Sequence, residues 1–596
     1  MNRIKLFISN IVNNLKTTLY RFPMTLIFLV SISTIMFIII DNFPNINEDL
    51  LTRLIFSGII GALLATAVKF LLERFEHSKN TILFYGFTIV FTLGYYFFMT
   101  DDSLSNPMYI HLLVISFSLF AAYLYLPSAK NNVNFGNVAL AHFKSAFTSI
   151  LYGVVLYLGI AAIMGAIDIL LYDIDYKSYA HAANIIFVLF TPLYYLSLLP
   201  KFNSMDENEH DKKEISYSYP KFLEILVSNI TIPLITAFSV VLIIYFIKIL
   251  VTGVWPVGQV GPMVLGYSAA GYFIYILSSN LTNKFSVYYR KLFPMVLIPL
   301  VAMQMVSSYI RIEAYGITES RYYVVLFGIF SIVCALMLIF GKRKNTNMIV
   351  LLSSIFALIS IIPPVDAFSI SKNSQQNRLE DILIRNNMLV NNEIVKKSDI
   401  SNDDKFEITN ISNYMNGMGY LDDMPWYPLK DNENYYANFK NTYGFEQYYD
   451  RGYPIDEETV YLSVMLNSNE IINIEGFDMF FKINIYNNSS SPVEVGEFKL
   501  NNKDYKILQH SDTNGDLTIM INQGDLTIME IPMMEFIDEL YENANESKAM
   551  MAQEELTIEK QNEDIKIKLL INSLYVDRSN SSEIYINGDA YIFVAQ

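Results

Sequence analysis

The chain has 596 residues, of which 53% are hydrophobic and only 17% charged. Residues 1–363 carry 24 Lys and Arg against 18 Asp and Glu, net +6, whereas residues 364–596 carry 18 against 40, net −22. This split excludes a single soluble globular domain, a disulfide-stapled scaffold and a collagenous chain, and the acidic half lacks the basic patch that nucleic-acid binding needs.

The first 23 residues read as an amphipathic helix on the inner leaflet. Ile4, Phe7, Ile8, Ile11, Leu15 and Leu19 recur at three- and four-residue spacing, with Lys5, Asn14 and Lys16 elsewhere. No small-residue cleavage site closes the apolar run that follows, so no cleavable signal peptide is expected. A span needs about 20 mostly apolar residues. Eleven runs qualify: 24–41, 54–71, 81–99, 108–127, 146–171, 184–200, 223–252, 263–281, 294–309, 322–341 and 348–363. The ninth and eleventh are short. The seventh is long and holds Pro233, which removes a backbone donor and kinks a helix. The expected fold class is therefore a membrane all-α helical bundle of about eleven transmembrane helices, residues 24–363. A soluble, mostly β C-terminal domain with a few helices follows it.

The connecting loops carry an orientation signal. With the N-terminus inside, the inner loops hold 18 Lys and Arg and the outer loops 4. This positive-inside bias, with an odd number of spans, predicts a cytoplasmic N-terminus and an extracellular C-terminal domain in a bacterial cytoplasmic membrane. The single cysteine, Cys334, falls in the tenth span, where it reads as a small hydrophobe.

Ionisable groups at membrane depth are costly and mark candidate sites. Asp168, near the outer end of the fifth span, is either a coupling-ion or proton site or a carboxylate close enough to the surface to stay wet. Lys248 in the seventh span either snorkels outward or pairs with Asp168. A secondary transporter would build on Asp168 and the Pro-broken seventh span; no comparable break stands out in the first half of the bundle. The loop Arg311-Ile312-Glu313-Ala314-Tyr315-Gly316-Ile317-Thr318-Glu319-Ser320-Arg321-Tyr322 places two Arg and two Glu on the side that otherwise avoids positive charge. One reading is internal: Arg311 or Arg321 pairs with Glu313 or Glu319 and pins the helix ends. The other is a binding site for an anionic lipid or envelope-polymer headgroup. Gly316 is expected to supply the turn.

Several polar motifs stand at the span edges: Arg21-Phe22-Pro23, Trp255-Pro256-Val257-Gly258-Gln259-Val260-Gly261, Arg290-Lys291-Leu292-Phe293-Pro294, the Tyr315–Tyr322 string, and Ser374-Gln375-Gln376-Asn377-Arg378-Leu379. Together they make residues 21–389 resemble an uncharacterised bacterial multi-pass membrane family, domain of unknown function 4153. The Tyr-Gly-Ile-Thr-Glu-Ser-Arg-Tyr string is the most specific piece. The resemblance implies a bacterial envelope protein and transfers no catalytic residue.

Residues 364–458 read as a helix and loop connector. It holds an amphipathic helix over 375–389, a second over 408–418, and an aromatic-rich ordered stretch in which Trp426, Tyr427, Tyr435 and Tyr436 are candidates for a sugar-stacking surface. From Thr459 the period becomes two. Ten strands are expected over 460–466, 479–486, 493–500, 505–509, 517–521, 526–531, 556–559, 565–571, 583–586 and 590–594, with one helix over 533–548. This is an extracellular antiparallel sandwich or rolled sheet. The repeat of Gly515–Met520 as Gly524–Met529 reads as paired strands about a turn at Asn522-Gln523-Gly524. The chain carries no HExxH, P-loop, GxSxG or GxGxxG pattern, and its six His show no metal-ligand spacing. No cofactor, metal or catalytic residue is expected. The expected function is non-catalytic binding, sensing or scaffolding at the outer face. The partners would be the bilayer and an anionic lipid, an envelope polymer or another envelope protein.

Overall fold

The computed structural model describes residues 15–41, 47–75, 80–99, 106–131, 133–204, 207–253, 255, 260–341, 346–428, 435–448, 461–467, 472–487, 491–512, 516–524, 526–543, 550–580 and 583–595. The chain divides into two compact units, Met1–Arg378 and Leu379–Gln596.

The first unit is helical. Its elements are α1 Pro23–Asp41, α2 Glu48–Phe75, α3 Thr81–Phe98, α4 Asn106–Tyr125, α5 Phe135–Leu170, α6 Lys177–Leu198, α7 Glu207–Tyr217, α8 over 221–252, α9 Val260–Leu277, α10 Lys284–Tyr315, α11 Glu319–Phe340, α12 Asn347–Ile359 and α13 Ala367–Arg385. Among the described residues nine helices are long and apolar enough to cross a membrane, and they take up nine of the eleven expected runs. The other two runs fall on α9 and on α12, which has 13 residues. The ninth run is longer than its apolar core suggested: α10 extends through Pro294 and Pro299 for 32 residues. Most of the expected N-terminal amphipathic helix lies outside the described residues; 15–21 are helical.

Local chemistry fixes the helix boundaries. Asn134 accepts a hydrogen bond from the Gly136 N–H and Asn283 from the Ser286 N–H, each satisfying an orphan donor at a helix start. Two spans are broken by π-turns, Asn184–Phe190 in α6 and Leu226–Thr231 in α8. Each runs into a proline, Pro192 or Pro233. Proline has no N–H to continue the ladder, and a nearby threonine hydroxyl bonds a carbonyl five residues back instead: Thr191 to Ile186 at 2.9 Å and Thr231 to Leu226 at 3.0 Å. The first-half break that the sequence did not reveal is thus present in α6.

Side-chain bonds sort the helix ends into two rims. At one rim Arg21, just ahead of α1, pairs with Glu73 near the end of α2 and donates to the carbonyls of Leu199 and Pro200 after α6. Arg74 bonds the Ala129 carbonyl beyond α4. Asn280, after α9, bonds Asn137 at the start of α5, and Ser228 early in α8 meets Asn283 and Ser286 at the start of α10. At the opposite rim Arg53 of α2 bonds the Tyr96 carbonyl of α3, and Lys177 and His181 of α6 reach Asp41 at the end of α1. His111 of α4 packs edge-on to Phe368 of α13, and Tyr322 of α11 donates to the Val365 carbonyl beyond α12. The passes α1–α6 and α8–α12 therefore alternate in direction, and even the short α12 returns the chain to the rim where α11 begins.

The second unit holds α14 Asn402–Gly417, α15 Tyr435–Tyr443 and α16 Met533–Asn543, with strands β1 Leu389–Val390, β2 Glu393–Ile394, β3 Tyr461–Leu466, β4 Met479–Tyr486, β5 Val493–Leu500, β6 Lys503–Ser511, β7 Leu517–Gln523, β8 Leu526–Pro532, β9 Met550–Met551, β10 Thr557–Gln561, β11 Lys566–Asn580 and β12 Glu583–Ala595. Strands β1 and β2 pair with each other alone; of the two larger sheets, one has the order β4-β12-β11-β3-β9 with β10 also on β11, and the other is the meander β5-β6-β7-β8. Alternate residues of both sheets, such as Ile483, Ile485, Ile519 and Ile592, meet in one core with Ile537 and Leu540 of α16. The expected hairpin about Asn522–Gly524 is β7–β8, with Gly524 at a φ of 61°.

Two expectations change. Strands 583–586 and 590–594 are one strand. Asn587-Gly588 looks like a turn, but Gly588 lies mid-strand, where an added Cβ would sit 2.2 Å from the Ser573 carbonyl oxygen beside a bulge. The sugar-stacking surface does not form. Trp426, Tyr427 and Tyr435 are buried with Leu383, Met415 and Tyr443 in a separate helical core, and Trp426 Nε1 donates to Glu380 at 2.7 Å; only Tyr436 is exposed.

Candidate functional site

Four of the five sequence motifs at the span edges turn out to be rim locks; residues 256–259 of the fifth lie outside the described residues. Arg21 is held bidentately on Glu73 at 2.9 and 2.8 Å and lies over the Phe22 ring. Arg290 donates to the carbonyls of Ser278 and Leu281 and closes the α9–α10 corner. At the opposite rim the Ser374–Arg378 motif grips the Tyr315–Tyr322 string. The Ser374 hydroxyl accepts from the Ile317 N–H at 2.9 Å, Gln375 Nε2 donates to the carbonyls of Tyr315 and Ile317 at 3.0 Å each, and Arg378 donates to the Ala314 carbonyl at 3.0 Å. Gly316 ends α10 with a φ of 70°, and an added Cβ would lie 2.8 Å from Gln375 Nε2.

Beside this corner is a polar pocket of about 230 Å³ between the ends of α9, α10 and α11. Gly261 and Pro262 of α9 form one wall and Val324 of α11 another; the remaining lining residues are Ser307, Ser308, Arg311, Thr318, Ser320 and Arg321. Ser307 and Arg311 are one helical turn apart on α10, so both face the pocket. Ser307 and Ser308 are buried at 7% and 8% exposure. The buried Arg311 Nε has no hydrogen-bond partner among the described residues. Among the described residues no carboxylate lines the cavity.

The sequence-predicted residues divide accordingly. Arg311 and Arg321 come together in the pocket. Arg321 donates to the carbonyls of Tyr315 at 3.1 Å and Gly316 at 2.7 Å, capping the end of α10, and lies over the Tyr315 ring. Glu319 is buried at the start of α11 and Glu313 is exposed; neither lines the pocket. Tyr322 is fastened to Val365 at 2.6 Å. Asp168 accepts from the Ile174 N–H at 2.6 Å, which closes the turn after α5. Lys248 is exposed on α8 and forms no ion pair with Asp168 among the described residues.

A family model described as domain of unknown function (DUF4153) matches residues 24–391. The chain belongs to the DUF4153 family. A curated relative, the uncharacterized protein PM1469 of Pasteurella multocida (strain Pm70), is 24% identical over 325 residues, 54% of this chain and 53% of the relative. The chain thus matches about half the length of that protein. No solved structure matches. The DUF4153 match includes both the pocket and its clamp, whereas β2 to β12 lie beyond it.

Sequence reasoning missed two features. Ser307 and Ser308 fall inside the apolar run 294–309, and only their one-turn spacing from Arg311 hints at a shared face. His210, Asp211 and Glu214 on α7 bring three possible metal-ligand atoms within 4.8 Å of one another, all exposed. The i, i+1, i+4 spacing was the available signal.

Proposed function

We propose that this chain is a multi-pass protein of the bacterial cytoplasmic membrane that acts without catalysis, by binding or sensing at the outer face. The observation that carries the reading is the alternation of helix ends. Arg21 and α13 belong to opposite rims, as an odd number of passes requires. The 18-to-4 distribution of Lys and Arg then makes the Arg21 rim cytoplasmic and the Gly316 rim external. The second unit follows α13 and is external on this reading. Its acidity favours cations or a basic envelope partner and repels anionic polymers, which leaves the arginine-lined rim pocket as the seat for an anionic ligand. The two sheets with a common core form a sandwich-like receptor module on the same reading.

Proteinase treatment of intact spheroplasts tests the sidedness. An epitope placed after Gln596 should be lost while one inserted beside Asp211 survives. Survival of the C-terminal epitope with loss of the other contradicts the reading.

Transport is the second reading, favoured by the paired π-turns that run into Pro192 and Pro233. Against it, Asp168 already accepts a backbone hydrogen bond and lacks Lys248 as a partner. In proteoliposomes a transporter should show solute flux that Asp168→Asn abolishes. Flux insensitive to that change would remove Asp168 from the mechanism.

A further inference from the structure

We propose that the rim pocket between α9, α10 and α11 binds a phosphate group, with Arg311 as its principal cation. The inference rests on the outer-face binding reading and gives that site a ligand class.

Buried polar groups are almost always hydrogen-bonded. Here the buried Nε of Arg311 has no acceptor among the described residues, and Ser307 and Ser308, both over nine-tenths buried, stand beside it. All three line the same cavity. A serine in an apolar helix ordinarily returns its hydroxyl to a carbonyl one turn back, as Ser57, Ser239 and Ser268 do in this bundle. Ser307 and Ser308 stand where the pocket opens.

The opposite wall adds donors. Thr318 precedes α11 but its side chain does not cap the helix; its hydroxyl instead meets that of Ser320 at 3.3 Å. The first N–H groups of a 22-residue helix therefore start beside the cavity, with the positive end of the helix dipole. Guanidinium groups, hydroxyls and a helix start, without a lining carboxylate, match an oxyanion that accepts hydrogen bonds from several directions. Phosphate fits this better than carboxylate, because its tetrahedral oxygens reach donors on both walls, whereas a planar carboxylate pairs with one fork. The pocket volume of about 230 Å³ far exceeds one water's share of roughly 30 Å³. That leaves room for the phosphate and the first atoms of its substituent. A lipid headgroup and a soluble phosphoester present this same group.

Binding is measured on the full-length protein in phosphatidylcholine nanodiscs, where both rims face solvent. The probes are inorganic phosphate, glycerol phosphate, succinate, and phosphatidylglycerol added to the disc lipid. The readouts are thermal stabilisation and titration of bound ligand. Saturable stabilisation by the soluble phosphates supports the proposal. Stabilisation by phosphatidylglycerol alone also supports it and identifies the source as lipid. Arg311→Gln should weaken binding at least about tenfold, as expected for removal of a charge-assisted donor. Arg311→Lys keeps the charge but loses the fork and should fall between the two. Ser307→Ala is the milder variant should Arg311→Gln fail to fold, and should also weaken binding. Lys248→Gln, an exposed cation elsewhere, should bind as wild type does. Equal stabilisation by succinate, no saturable binding, or binding indifferent to Arg311 and Ser307 overturns the proposal. Because the discs expose both rims, such a failure leaves the sidedness reading standing. The spheroplast experiment can fail without touching this one.

Discussion

At the scale of single residues, backbone carbonyls and N–H groups do as much in the rim as ion pairs. Gln375 is 2% exposed and holds two carbonyls of the α10–α11 corner. Gly316 is the point where that corner tolerates least, since a side chain there meets both a positive φ and the Gln375 amide. Gly316→Val should destabilise the helical unit by about 2–4 kcal/mol, combining backbone strain and overpacking. A lower unfolding midpoint of the detergent-solubilised protein checks this; an unchanged midpoint would mean the corner is not packed as described. In the second unit Asp404 is a smaller anchor. Burial raises its pKa, but hydrogen bonds from Arg385, Asn386 and Ser401 outweigh this and hold it below the ordinary 3.8. Its contribution is therefore present above about pH 4 and is lost as the pH falls through the lower folded value. Asp404→Asn should flatten that part of the acid-unfolding curve, read by circular dichroism against the wild type. An unaltered acid limb would show that Asp404 is not linked to folding.

At the scale of elements, apolar length and period made the spans and most strands legible, and their neighbours decided the rest. The α9–α10 corner shows why. Gly271 lies against the Phe293 ring, which an added Cβ would approach to 2.1 Å, and Tyr289 donates to the Gly271 carbonyl at 2.9 Å. Nothing in the local pattern distinguishes Gly271 from Gly86 or Gly94, which have open space around them. Gly271→Ala should lower the unfolding midpoint by several degrees, while Gly86→Ala should leave it unchanged or slightly higher. Equal responses would refute the close packing of these helices. The same dependence on neighbours hid the break in α6. Pro192 was visible, but the π-turn it terminates depends on a hydroxyl bond from Thr191 and on Asn184 reaching the Ser33 carbonyl of α1 at 2.9 Å. Gly588 misled for a related reason: Asn-Gly suggests a hairpin locally, and only the bulged partner strand makes it continuous. For the pocket, the arginines were legible as candidates because they stood on the side poor in positive charge. Their shared cavity was not, because it needs three helix ends at once.

At the scale of the whole molecule, the side on which each rim lies depends on the parity of the passes. Two of the eleven passes, α9 and α12, lie outside the nine that length and composition alone assign to a membrane. Side-chain bonds put the end of α9 at the Arg21 rim and the residues after α12 at the rim where α11 begins, as two further passes would. Removing either would reverse the side assigned to the second unit and turn the phosphate pocket toward the wrong compartment. The most direct measurement is cysteine labelling of intact cells with a membrane-impermeant thiol reagent. The chain has one cysteine, so Cys334→Ser gives a clean background. Asp504, with a side chain 81% exposed on the second unit, and Asp211, exposed on α7, are each replaced by Cys in turn. Asp504→Cys should be labelled in intact cells and Asp211→Cys only after lysis. The reverse pattern, or labelling of both only after lysis, would contradict this sidedness.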